Sequence, residues 1–198
     1  MNRVTGMCGA AVNAFAILAF AVSMLFGFDA GSYFSSMFIA FGFVLMIGGF
    51  AFYAETDAKV PGYAAMAMAA AYAAVITVVY FTQLTVVRSG GLGKEAAKLL
   101  DFQRFGLLFN LDMLGYAMMS LATFFAGLTV ITRTKADRVL KWLLILHGMF
   151  FISCLLFPML GVFTENSDAI IGVIVLEIWC AWFLPTGILS FMHFKNKE

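Results

Sequence analysis

The run PGYAAMAMAAAYAAVITVVYFTQLTVV, residues 61–87, contains no Asp, Glu, Lys, Arg or His. As a helix rising about 1.5 Å per residue it would outreach the roughly 30 Å hydrocarbon core of a bilayer, so it predicts a tilted membrane-spanning helix. Five further apolar runs accompany it, over about 7–27, 33–53, 105–131, 139–160 and 169–192. Hydrocarbon offers no water to a bare backbone, so such runs satisfy their own amides as helices. The short alternating segments of a membrane β-barrel do not occur. The expected fold is all-α: a polytopic membrane protein, six transmembrane helices in one bundle, with residues 1–198 as a single membrane domain.

Composition agrees. Of the 198 residues, 63% are hydrophobic and 12% charged, about half the charged share of a soluble domain, so most of the surface is expected to face lipid. A net charge of +1 and the lack of a basic arm exclude a nucleic-acid partner. Cys8, Cys154 and Cys180 lie in apolar runs without metal-ligand spacing, so neither a disulfide framework nor a metal site is expected. No cofactor motif appears, and GxSxG, HExxH, Walker and GxGxxG patterns are missing. The first run continues past the length of a leader's apolar core with no clear cleavage site, so it reads as the first span.

The connections fit this division. Residues 28–32 form a short turn, residues 55–59 lead into Pro61, and residues 132–141 form a charged loop. Residues 164–168 form a polar turn with Asp168 as the expected cap of the sixth helix. With both ends in the cytoplasm, eight of the twelve Lys and Arg residues fall on the inner side and four outside, following the positive-inside rule in the cell membrane. The four outer ones share the loop after the third span. There Gly90, Gly91 and Gly93 make a hinge, and residues 94–104 a short amphipathic helix. That helix either lies among the headgroups or closes as a lid over an outward cavity. Pro158 and Pro185 are expected to kink the fifth and sixth helices.

Small residues recur at helical spacing: Ala65, Ala69 and Ala73 in the third span, Ala10 and Ala14 in the first. They serve close packing within the bundle or a docking face for a membrane partner protein at Ala65, Ala69 and Ala73.

Polar residues within spans mark candidate sites, because they are costly there. By helical rise, Glu177 lies about 4–5 Å outward of mid-membrane, Asn110 and Asp112 about 9–12 Å, and Tyr80 and Gln83 about 8–12 Å. Tyr116 joins them, and Asp112, Tyr116, Met119 and Thr123 share one helical face. These six, Tyr80, Gln83, Asn110, Asp112, Tyr116 and Glu177, are expected to line an outward-half polar cavity. Each amide and tyrosine also has an ordinary alternative as interhelical glue, and Asp112 one as a partner of Arg104. His147 lies about 4–5 Å inward and Asn13 about 6 Å inward, at a depth that permits contact. His147 and Glu177 are a candidate proton relay, needing a bridge across about 9 Å.

Six spans in about 200 residues, both ends inside, an outer loop after span three, and Ala10-x-x-x-Ala14 together resemble, in topology, the substrate-binding subunits of energy-coupling-factor vitamin transporters. The resemblance implies a cytoplasmic ATPase pair and a membrane coupling subunit as partners. The residues themselves favour a protein that binds or transports a small, partly apolar ligand. A structural or accessory bundle built on the Ala-rich third span is one alternative. Another is a small intramembrane enzyme acting on a lipid or quinone through His147 and Glu177.

Overall fold

The first two helices show why this chain packs as it does. In lipid, helices gain little from burying apolar surface, so close van der Waals approach must hold them together. In the computed structural model, which describes residues 1–164 and 169–197, α1 (Asn2–Leu25) and α2 (Asp29–Phe52) meet through glycines. A methyl on Gly42 would stand 2.6 Å from the backbone nitrogen of Asn13, and one on Gly9 would strike the backbone of Met46. The Asn13 amide donates to the Ile39 carbonyl at 3.0 Å across this seam. Asn13 is thereby engaged with α2 and not with His147. The turn between the two helices uses Gly27 at φ +63°, in the left-handed region that glycine tolerates.

The remaining helices are α3 (Lys59–Thr82), α4 (Lys94–Leu100), α5 (Leu107–Thr129), α6 (Lys135–His147), α7 (Phe150–Met159) and α8 (Ala169–Lys195). Six segments are long and apolar enough to cross a membrane, with α6 and α7 sharing the fifth. The chain is an integral, multi-pass membrane protein with a six-helix bundle, as its apolar runs predict. Large apolar side chains such as Phe15, Phe34 and Leu45 lie on the outside, where lipid would meet them. The seams are α1 with α2 and α8, α2 with α3, and α5 with α3, α6 and α7. Both termini lie at one end, where Arg3 donates to the Lys197 carbonyl at 3.2 Å. By the charge argument this is the inner end, and the loop at 88–106 marks the outer one.

Several boundaries move for local reasons. The expected loop at 132–141 is largely helix. Thr134 and Asp137 form a reciprocal capping box, which starts α6 at Lys135 rather than residue 139. The fifth span breaks at Gly148–Met149, between α6 and α7, and not at Pro158, which lies one residue from the end of α7. A side chain on Gly148 would press on Phe124 of α5. The third span ends in a π-helical turn, Gln83–Val87. Pro185 lies inside α8, which runs on to Lys195. The polar turn expected at 164–168, with Asp168 as its cap, lies outside the described residues except for Thr164.

The alanine stripes face inward. Ala65 and Ala69 are fully buried and Ala73, partly buried, packs against the core, so these alanines serve packing within the bundle. Ala10 and Ala14 receive Gly187 of α8, whose added methyl would lie 3.1 Å from the Ala14 side chain. The face that carries the transporter resemblance is thus occupied by the chain's own last helix.

The bundle is tight at its inner end and loose at its outer end. Inside, the Phe194 ring fills the space over Gly6 and Gly49 and meets Phe50. Asp137 of α6 and Nδ1 of His193 on α8 bond at 2.6 Å. Outside, α7 has no buried residue, and none of residues 170–178 in α8 is buried. The outer halves of these two helices therefore splay apart.

Valine at Gly42 should lower the thermal unfolding temperature of the detergent-solubilised protein sharply, since overpacking costs about 1–3 kcal/mol. Valine at Gly48, on the same helix with its nearest neighbour at 3.6 Å, should change it little. Equal shifts in a melting curve would refute the glycine seam.

Candidate functional site

Polar groups gather between the third and fifth of these helices, from the middle of the bundle outward. Tyr72, Ile76, Tyr80 and Gln83 share a face of α3 at helical spacing, and all four are buried. Asp112 and Tyr116, one turn apart on α5, are buried opposite them. The Tyr72 and Tyr116 rings lie 5.9 Å apart. The Tyr80 hydroxyl meets both the Asp112 carboxyl and Ser36 of α2. Three oxygens of this group, Asp112 Oδ1, Tyr72 Oη and Tyr116 Oη, are buried without a hydrogen-bond partner. Buried polar atoms are nearly always paired, so three unpaired ones at one place call for an explanation. Among the described residues no Lys or Arg faces Asp112: Arg104, its suggested partner, pairs instead with Asp101 at 3.5 Å.

The outer loop packs over this group. Gln83 grips the outer loop with both ends of its amide, donating to the Leu100 carbonyl at 2.7 Å and accepting from the Phe102 N–H at 3.0 Å. This sets Phe102 down on Tyr33 (6.0 Å), Tyr80 (5.9 Å) and Phe109 (5.2 Å). Gln103 adds a 2.7 Å bond to Asp29 at the start of α2. The loop is bounded on one side by Gly90 and Gly91, both at positive φ. On the other side Phe105, at φ 53°, precedes Gly106, where a side chain would collide with the Lys98 carbonyl. The short helix expected over 94–104 is present as α4, Lys94–Leu100, followed by a 3-10 turn, Phe102–Arg104. Gln83 is therefore a clasp for the loop and shows no free amide to a ligand.

The other expected site residues are placed differently. Asn110 is exposed and returns its amide to the Gly106 carbonyl at 2.8 Å, away from the group. Glu177 sits on the splayed half of α8, partly buried, with Oε1 unpaired. It neighbours Cys180, which in turn lies near Tyr116. Glu177 thus stands beside the cluster, at the gap between α7 and α8, and not within it.

His147 and Glu177 are not joined. His147 Nε2 accepts from the indole N–H of Trp179 at 3.0 Å. An indole can only donate, so Nε2 carries no proton and the neutral ring holds its hydrogen on Nδ1. Nδ1 then donates to Thr123 Oγ1 at 2.9 Å, and Thr123 passes its own hydrogen to the Ser120 carbonyl at 2.9 Å. Every polar atom of His147 is engaged, with none left to receive a proton from Glu177. Trp179 also packs edge-on against Tyr116 at 5.6 Å and flat on Phe183 at 5.1 Å, so the histidine braces the floor of the outer group.

Sequence reasoning passed over Tyr72, Ser36 and Phe102. The spacing of Tyr72, Tyr80 and Gln83 on one face of α3 was the available signal for the first. No group of three or more His, Cys, Asp or Glu residues able to hold a metal occurs among the described residues. No protein-family model, no curated protein and no solved structure matches this chain.

Leucine at Gln83 should leave the bundle folded but free the loop. Amide exchange at Phe102 and trypsin cleavage at Arg88 to Arg104 should both rise several-fold, and unchanged protection would refute the clasp. Trp179→Phe keeps the ring stack but strips His147 of its donor. It should destabilise the protein by about 1–3 kcal/mol in a denaturation series.

Proposed function

We propose that this chain binds a small, partly apolar molecule in the outer half of a cell-membrane bundle and handles it for uptake or transfer. The observation that carries the reading is the set of three unpaired, buried oxygens on Tyr72 of α3 and on Asp112 and Tyr116 of α5, the two tyrosine rings 5.9 Å apart. In lipid such atoms gain no help from solvent, and polar residues held at that cost mark ligand or ion paths. Tyr80 belongs to the same wall. Gln83 holds the lid, and Glu177 flanks the gap between α7 and α8, a sideways route from the outer leaflet.

A second reading, a purely structural bundle, is favoured by one observation. The two best-formed depressions, of about 290 and 230 Å³, are apolar grooves on Trp142 and Leu146 and on Val78 and Leu111, away from the polar group. Binding at the cluster therefore requires the lid or the α7–α8 gap to open. The intramembrane-enzyme reading loses its base, since His147 is fully engaged.

Native mass spectrometry of the protein taken gently from its membrane separates the two readings. The wild type should carry a small-molecule adduct. Asp112→Asn with Tyr116→Phe should lose it at an unchanged melting temperature, and Glu177→Gln should lower its occupancy. A bare mass in the wild type, or the same adduct in every variant, would leave the structural reading standing.

A further inference from the structure

Resting on that binding reading, we infer that the ligand carries a protonated amine on a small aromatic or similarly apolar body, with the ammonium held by Asp112, Tyr72 and Tyr116. Charge is the first argument. Asp112 is the one carboxyl within the tyrosine group, is 4% exposed, and has no cation opposite it among the described residues. A carboxylate in hydrocarbon is stable only when paired, protonated or wet. An anionic ligand would make matters worse, whereas an ammonium would supply the missing counter-charge through charge-assisted hydrogen bonds.

Hydrogen-bond arithmetic is the second. A primary ammonium has three N–H donors and no acceptor. Within this group three buried side-chain atoms are unpaired, and each is an oxygen that accepts: Asp112 Oδ1, Tyr72 Oη and Tyr116 Oη. Both tyrosines feel the charge of Asp112, and none of the three free oxygens is bonded to another, so a donor placed among them would find three acceptors.

The walls are the third. The group is flanked by aromatic rings, with Tyr72 and Tyr116 at 5.9 Å and Tyr33 stacked on Tyr80 at 5.5 Å. Ring faces attract cations, more strongly where water is excluded. Above them Phe102 lies on the same Tyr80 whose hydroxyl meets Asp112. Were the loop to swing back on its glycines, this side chain would vacate the space of one phenyl ring against Tyr80. Phe102 thus stands in for the apolar end of the ligand.

The test uses the full chain in nanodiscs and three probes of nearly equal shape: 2-phenylethylammonium, 2-phenylethanol and 3-phenylpropionate. Calorimetric titration, corrected with empty nanodiscs, should show saturable binding of the ammonium at least tenfold tighter than of the other two. Asp112→Asn should erase that preference. Should this variant fail to fold, Tyr72→Phe and Tyr116→Phe, which keep the rings, must each weaken the ammonium severalfold. The inference falls if the alcohol or the carboxylate binds as tightly as the ammonium, or if the preference survives in the variants. In either case saturable binding leaves the broader reading intact. Saturable binding of none of the three sinks both.

Discussion

A polar atom inside a membrane bundle must find its partner in the protein, because the surrounding solvent has none to offer. Most of this structure is a set of answers to that demand. Ser36 bonds the carbonyl one turn back at 2.9 Å, and Ser120 does the same at 2.8 Å. Asn13 reaches across to α2, Thr123 and Trp179 share His147, and Gln83 takes up a carbonyl and an amide of the outer loop. Against this background the unpaired oxygens of Tyr72, Asp112 and Tyr116 stand out. Asn13 Oδ1 and Glu177 Oε1 are buried and unpaired as well, but only on Tyr72, Asp112 and Tyr116 do three such atoms share one neighbourhood.

The same solvent explains the uneven packing. Helices in lipid cohere where backbones can approach, and the chain places glycine or alanine at its closest seams: Gly9 and Gly42, Gly49 under Phe194, Gly187 on Ala14. These contacts concentrate between α1, α2 and the inner half of α8. The Asp137–His193 bond and the Arg3–Lys197 contact finish that end. The outer half lacks such seams on α7 and α8. The closest seams thus lie toward one end, whereas the outer parts of α7 and α8 are the least buried of the bundle.

The lid links the two ideas. Its hold on the bundle is mostly polar: two bonds from Gln83 and one from Gln103, with one ring, Phe102, set into an aromatic wall. A few hydrogen bonds at a membrane surface, where water competes, can open without unfolding the bundle. The π-helical turn that carries Gln83 widens the end of α3 at this point, and such turns recur at functional sites.

The sequence by itself determined the six spans, the amphipathic segment in the outer loop and the level at which Tyr80, Asp112 and Tyr116 lie. All three follow from one-dimensional quantities: apolar run length, charge placement and helical rise. Which side chains share a partner was decided only by the tertiary structure, because depth along a helix says nothing about rotation or neighbours. Asn110 and Asp112 are two residues apart, yet one faces out and the other in. Gln83 had the depth of a ligand contact and became a clasp, and His147, at a depth suited to a relay, was closed off by Trp179. Helix pairing turned a list of polar residues into one unsatisfied group and several finished ones.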